Sequence, residues 1–253
     1  MNATNASRVM IVTGGSRGIG AATVVLAANQ GYDVCFSYAG NTRRANDVVA
    51  AAQGAGGRVL AVQADMSTDA GVRKLFEACD AEFGAPDALV NNAGTTGPIR
   101  KVADIDADTL RAVFELNVTG YFLAAREAIR RMSTARGGTG GAIVNVSSRA
   151  APLGGGGEWV HYAASKGATD TFTIGLSREV GAEGIRVNAV RPGLIDTELH
   201  AAAGAPDRLT RLMSGVPMGR AGSAEEVAET ILWLAGPQSS YVSGALVDVS
   251  GAR

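Results

Sequence analysis

An alternation along the chain constrains its fold more than any other feature. Short runs rich in Val, Ile and Ala recur near Arg8–Thr13, Tyr32–Tyr38, Arg58–Ala64, Ala88–Asn91, Ala142–Ser147, Ile185–Val190 and Ala245–Asp248. Between them lie longer stretches with apolar residues at three- and four-residue spacing, the longest over Asp106–Met132 and His161–Gly181. Continuously apolar strands separated by amphipathic helices bury both faces of a parallel sheet. The pattern predicts an α/β fold, a doubly wound parallel sheet of seven strands with helices on both faces. No internal repeat and no Pro-rich linker divides the 253 residues, so residues 1–253 are expected to form a single domain. The segment 194–219, broken by Gly204-Ala205-Pro206 and Val216-Pro217, reads as an insertion before the last helix. At that place, beyond the carboxyl end of a late strand, an insertion can cover a ligand crevice.

Composition narrows the function classes. The 23 basic and 24 acidic residues balance, which leaves no surplus for a nucleic-acid backbone. No apolar run is long enough to cross a bilayer, and the polar residues Met1–Ser7 do not read as a secretion signal, so the cytoplasm is the expected compartment. Cys35 and Cys79 read as buried small hydrophobes, and with two histidines in the chain no metal cluster is expected.

The first strand runs into Thr13-Gly14-Gly15-Ser16-Arg17-Gly18-Ile19-Gly20 and then an alanine-rich helix. A glycine turn in that context lets a pyrophosphate approach the backbone and meet the free N–H groups of a helix N-terminus. The spacing of Gly14, Gly18 and Gly20 is wider than the common dinucleotide fingerprint, and a tight turn that binds nothing is the competing reading. The fingerprint expects a carboxylate about twenty residues on, at the end of the second strand. Ser37 and Tyr38 stand there instead. Ser37 can donate to a 2′-phosphate and Arg17 can bring a cation beside it, so NADP is expected over NAD. Asn41, Arg43 and Arg44 either assist or form a solvated helix start.

Tyr162 and Lys166 are four apart in Tyr162-Ala163-Ala164-Ser165-Lys166, hence on one face of a helix. A phenol of pKa about 10 is a poor acid near neutrality until a neighbouring cation lowers it. A hydroxyl at Ser147 or Ser148, where a strand ends, can hydrogen-bond an oxygen on which charge develops. Alone, such a Tyr-Lys pair is more often a pair of surface neighbours.

Together these motifs resemble the short-chain dehydrogenase/reductase family, over essentially the whole chain and within a single Rossmann domain. The glycine turn spans Thr13–Gly20 and the adenine-contacting acid falls on Asp65, followed by Met66. The sheet-stabilising motif is Asn91-Asn92-Ala93-Gly94, the helix asparagine Asn117, the active-site serine Ser148, and the Tyr-Lys pair Tyr162 and Lys166. In Asn188–Thr197 the resemblance gives Pro192, Gly193, Ile195 and Thr197 to the nicotinamide amide and phosphates. It implies an NADP-dependent enzyme acting on a carbonyl or alcohol. Tyr162 transfers the proton and Ser148 polarises the oxygen, while Lys166 lowers the tyrosine pKa and binds the nicotinamide ribose. Asn117 interrupts its helix and holds a water in a proton relay. A homotetramer follows by the same analogy. The interval from Ser148 to Tyr162 is one residue longer than is usual in the family, which the run Gly154–Gly157 absorbs; Ser147 is the competing assignment.

The stretch Gly140–Ser148 and the glycine loop after it are most similar to little-characterised bacterial members labelled sugar dehydrogenases. The expected pocket residues are Thr95, Thr96, Arg149, Glu158, Trp159, His161, Leu194 and His200. This polar and aromatic mixture favours a small carbonyl compound over a long acyl chain. His161, one position from Tyr162, is turned away on the helix and reads as packing. The alternatives are a 3-oxoacyl carrier-protein reductase, which would draw on Arg130, Arg131 and Arg136 as a basic patch, and a non-enzymatic NADP sensor.

Overall fold

Seven strands pair in parallel in the order β3-β2-β1-β4-β5-β6-β7 in a computed structural model that describes residues 7–198 and 204–253. They are β1 (Val9–Val12), β2 (Asp33–Tyr38), β3 (Val59–Gln63), β4 (Ala88–Asn91), β5 (Gly141–Val146), β6 (Ile185–Pro192) and β7 (Leu246–Val249). Ile11 stands opposite Cys35 on one side and Leu89 on the other. This is the doubly wound Rossmann arrangement that the alternation predicts. β6 extends past its apolar run to Pro192 because β7 continues to pair with it there, Arg191 against Asp248 and Pro192 against Val249.

Strand alternation divides the core in two. Met10 and Val12 face one layer with helices α1 (Gly18–Asn29), α2 (Thr42–Ala51) and the last helix, Ala224–Ala235, through Val24, Ala27, Val48, Val227 and Ile231. Val9 and Ile11 face the other with α3 (Asp69–Glu82), through Leu75 and Phe76, and with two further helices through Ala124, Ala128, Leu176 and Val180. Cys35 and Cys79 are both buried in this second layer.

The stretch Asp106–Met132 is not one helix. It divides into α4 (Ala107–Phe114), a π-turn over Glu115–Thr119 and α5 (Gly120–Met132). Two contacts explain the extra winding. A Cβ at Gly120 would lie 2.3 Å from the Met66 carbonyl oxygen, and the Asn117 side chain is drawn sideways to the main chain of Thr95. Beyond it come the short α6 (Ala150–Leu153), the long α7 (Val160–Val180), α8 (Arg208–Leu212) within the insertion, and α9 (Ala224–Ala235), closed at its start by a reciprocal Ser223–Glu226 cap.

Candidate active site

The winding direction reverses at β1, which pairs with β2 on one side and β4 on the other. In open α/β sheets that reversal opens a crevice at the carboxyl ends of the strands. Here the crevice is a cavity of about 790 Å³.

One end is built on the glycine turn. Gly14 has a φ of +67°, and a Cβ there would sit 2.9 Å from the Ala93 Cα; a Cβ at Gly20 would meet the Gly14 carbonyl oxygen at 2.2 Å. These positions admit glycine because the turn is pressed onto the Asn92-Ala93 strand end. Thr13 Oγ1 accepts from the Asn92 and Ala93 N–H groups at 2.9 and 3.0 Å, and Asn92 Nδ2 donates back to the Thr13 and Gly14 oxygens. Arg17 precedes α1 without a side-chain cap, leaving the first N–H groups of the helix for a ligand. Gly14, Ser16, Arg17, Gly18 and Ile19 line the cavity, as do Asn92, Ala93 and Gly94. Gly20 lies beneath the turn, against Gly14 and Asn92. A glycine-built cradle with uncapped N–H groups fits a pyrophosphate.

Ser37 packs against the turn. Its side chain is fully buried, and its Oγ accepts from the Gly14 N–H at 2.9 Å while its carbonyl accepts from Gly15. Ser37 therefore braces the turn through its oxygen and also lines the cavity. Tyr38, Arg17, Asp65 and Met66 line this end, and Asp65 Oδ1 also accepts from the N–H and hydroxyl of Ser67. Arg44 is paired with Glu198, so it is not a free cation.

At the other end α7 carries Tyr162 and Lys166. Lys166 is buried; its Nζ donates to the Val146 carbonyl at 2.7 Å and to Tyr121 Oη at 3.3 Å, and lies 5.8 Å from the centre of the Tyr162 ring. Burial lowers its pKa to about 7, with the Asp170 carboxylate opposing. Burial raises the Tyr162 phenol, against a hydrogen bond with Ser148 and the nearby charge of Arg208. Arg208 is a cation the sequence did not point to for this purpose.

The two serines of the pair diverge. Ser148 faces Tyr162 and accepts from the Ala150 N–H at 3.0 Å. Ser147 is turned inward, donating toward Asp170 and the Lys166 carbonyl oxygen. Asn117, fully buried, does not line the cavity; its Oδ1 accepts from Thr95 N–H and its Nδ2 donates to the Thr95 carbonyl and Ser165 Oγ. It fixes the Thr95 loop from behind.

Thr95, Thr96, Arg149, Glu158 and Trp159 line the cavity, together with Pro192, Gly193, Ile195 and Thr197. Leu194 is buried outside it, and His161 is buried with Nε2 at 2.9 Å from the Thr96 carbonyl, holding the same loop as Asn117. His200 lies outside the described residues. Sequence reasoning missed Leu153, Arg208, Arg211, Leu212 and Arg253 as lining residues. For Arg208 and Arg211 a signal existed, since three-residue spacing puts both on one helix face.

The family model described as enoyl-(acyl carrier protein) reductase matches residues 14–251. The chain is 50% identical over 245 residues to the uncharacterized oxidoreductase YgfF of Escherichia coli strain K12, covering 97% of this chain and 99% of that one. A short-chain dehydrogenase/reductase from Serratia marcescens superposes with a TM-score of 0.86 at 37% identity over 97% of both chains. A blue fluorescent protein from a metagenomic library, solved in complex with NADPH, does so at 0.88 and 35% identity, again over 97% of both. With the crevice, the glycine cradle and these relationships in agreement, the chain belongs to the short-chain dehydrogenase/reductase family and is an oxidoreductase.

Proposed function

We propose that the protein transfers a hydride between NADP and a small carbonyl or alcohol, with Tyr162, Ser148 and Lys166 acting on the substrate side and Asn117 positioning them. The observation that carries this reading is the facing pair of Tyr162 and Ser148 in the same cavity as the glycine turn. When bound, the nicotinamide supplies the hydride chemistry. In the reductive direction Tyr162 gives its phenolic proton to the substrate oxygen, which Ser148 polarises by donating a hydrogen bond. Lys166, one helical turn from Tyr162 and anchored on the Val146 carbonyl of β5, places its amine beside the phenol and is available to the nicotinamide ribose. With its side chain engaged by Thr95 and Ser165, Asn117 serves the proton relay through its main chain.

Ser148→Ala lowers kcat/KM by about two orders of magnitude, whereas Ser147→Ala has a smaller kinetic effect and instead lowers Tm through the lost Asp170 contact. The reverse ranking in steady-state kinetics would move the polarising role to Ser147.

NADP is favoured because β2 ends in Ser37 and Tyr38 and is followed by Ala39, none of them a carboxylate to repel a 2′-phosphate, and because exposed Arg17 lines that end. The NADPH-bound relative supports the same choice. Oxidation followed at 340 nm against aldoses, small ketones, quinones and acetoacetyl thioesters tests the reading. NADPH is expected to exceed NADH by about tenfold in kcat/KM, as one phosphate-arginine contact supplies; a higher value with NADH overturns the preference. A carrier-protein substrate draws little support from the basic helix end, since Arg130 and Arg131 are engaged by Glu127 and Asp80.

The family resemblance further supports a homotetramer in the cytoplasm. Half-exposed Phe122 on α5, stacked against Phe172 of α7 at 4.0 Å, offers an apolar surface for a second subunit, and sedimentation equilibrium would reveal a monomer if this is wrong. Among the described residues no helix is long and apolar enough to cross a membrane.

A further inference from the structure

The arginines around the substrate end of the cavity differ in how their charges are used. Arg208 Nε and an Arg211 terminal nitrogen each donate to one oxygen of Glu158, at 2.9 and 2.8 Å. Arg149 spends one terminal nitrogen on Asp248 at 2.8 Å and its Nε on the main-chain oxygen of Arg253 at 2.6 Å. Asp248 is in turn held by Arg191. Arg253 also lines the cavity, yet among the described residues its guanidinium has neither an ion pair nor a hydrogen bond.

The backbone at this position is nonetheless fixed. Its oxygen accepts from Arg149 Nε and from Ser250 Oγ at 3.1 Å, its N–H donates to the Ser250 carbonyl, and its Nε comes within 3.8 Å of where a Cβ on Gly215 would stand. The side chain is half-buried, and its charge is disfavoured by burial and by the neighbouring charges of Arg208 and Arg149, against the attraction of Glu158. A partly desolvated cation held among other cations is at a cost that an anion in the cavity relieves. Its neighbours, Glu158, Arg149, Arg208 and Gly215, belong neither to the glycine turn nor to the end of β2, so the adenine-end phosphate is not that anion. The same wall already holds one carboxylate, Glu158, between two guanidinium groups, and the planar fork of arginine matches that geometry.

We propose that Arg253 receives a carboxylate carried by the substrate, so that this chain acts on small oxo- and hydroxy-acids. The assignment rests on the oxidoreductase reading for its chemistry but not for its binding test. That test is calorimetric titration of the NADP⁺-saturated protein with 4-formylbenzoate and with its methyl ester, a neutral analogue larger by one methyl group, neither of which can be reduced with the oxidised cofactor. The acid is expected to bind about tenfold tighter or more, as a charge-assisted hydrogen bond supplies. Arg253→Gln should bring the ratio near unity, and Arg253→Lys should keep part of it. Three results overturn the proposal: acid and ester behaving alike in the unmodified protein, a preference that survives Arg253→Gln, or displacement of the acid by an equal concentration of inorganic phosphate. With NADPH, reduction of the acid in preference to the ester extends the result to turnover. Preferential acid binding without reduction of either compound would uphold the Arg253 assignment while counting against the oxidoreductase reading for this pair.

Discussion

Tyr162→Phe is expected to lower kcat by about three orders of magnitude while changing the Kd for NADPH by no more than about threefold. The substitution removes one oxygen and keeps the ring, so the packing of α7 is preserved. What it deletes is the proton donor, and with it the partner of Ser148. Burial holds the phenol protonated, which suits a group that must deliver a proton; Ser148 and Arg208 pull in the opposite direction and stabilise the phenolate that remains. Steady-state kinetics beside a fluorescence titration of NADPH separates the two roles. Parallel loss of turnover and cofactor binding would make Tyr162 a structural residue.

The second large effect is predicted at the glycine turn. Gly14→Val should weaken NADPH binding by about a hundredfold or more and lower Tm by several degrees, because a branched side chain must be accommodated at positive φ. Space is lacking as well as conformational freedom, with the Ala93 backbone 2.9 Å from the new Cβ. The turn cannot retreat from that contact, since Asn92, Thr13 and Ser37 tie it to the strand ends. Differential scanning fluorimetry with and without NADPH reads both effects. A variant stabilised by NADPH as strongly as the unmodified protein would show that the turn does not cradle the cofactor.

The sequence made the sheet legible because buried parallel strands carry their signature in every residue. Each of the seven runs became a strand with ends within two residues of the expected ones; β1 and β3 stop a residue short at each end, whereas at Pro192 pairing with β7 outlasts the apolar pattern. Periodicity did not reveal the π-turn at Glu115–Thr119, since three- and four-residue spacings recur on both sides of it; only the resemblance pointed to Asn117. Tyr162, Lys166 and the glycine turn were legible because their spacing is local. The direction of a side chain is not. Ser37 follows the strand as foreseen, and its Oγ also accepts from the Gly14 N–H; Ser147 turns inward to Asp170 while Ser148 faces Tyr162. Arg208 and Arg253 reach the cavity from distant segments, so no window of sequence brings them together with Tyr162.

The central claim is hydride transfer at this site, and isotope transfer tests it most directly. NADPH deuterated on one face of C4 is incubated with the protein and an accepted carbonyl substrate, and the product alcohol is analysed by mass spectrometry. One of the two faces is expected to deliver its deuterium to the carbinol carbon, and Tyr162→Phe to suppress the reaction. Product formed without deuterium from either face, or formed equally well by the variant, would contradict it.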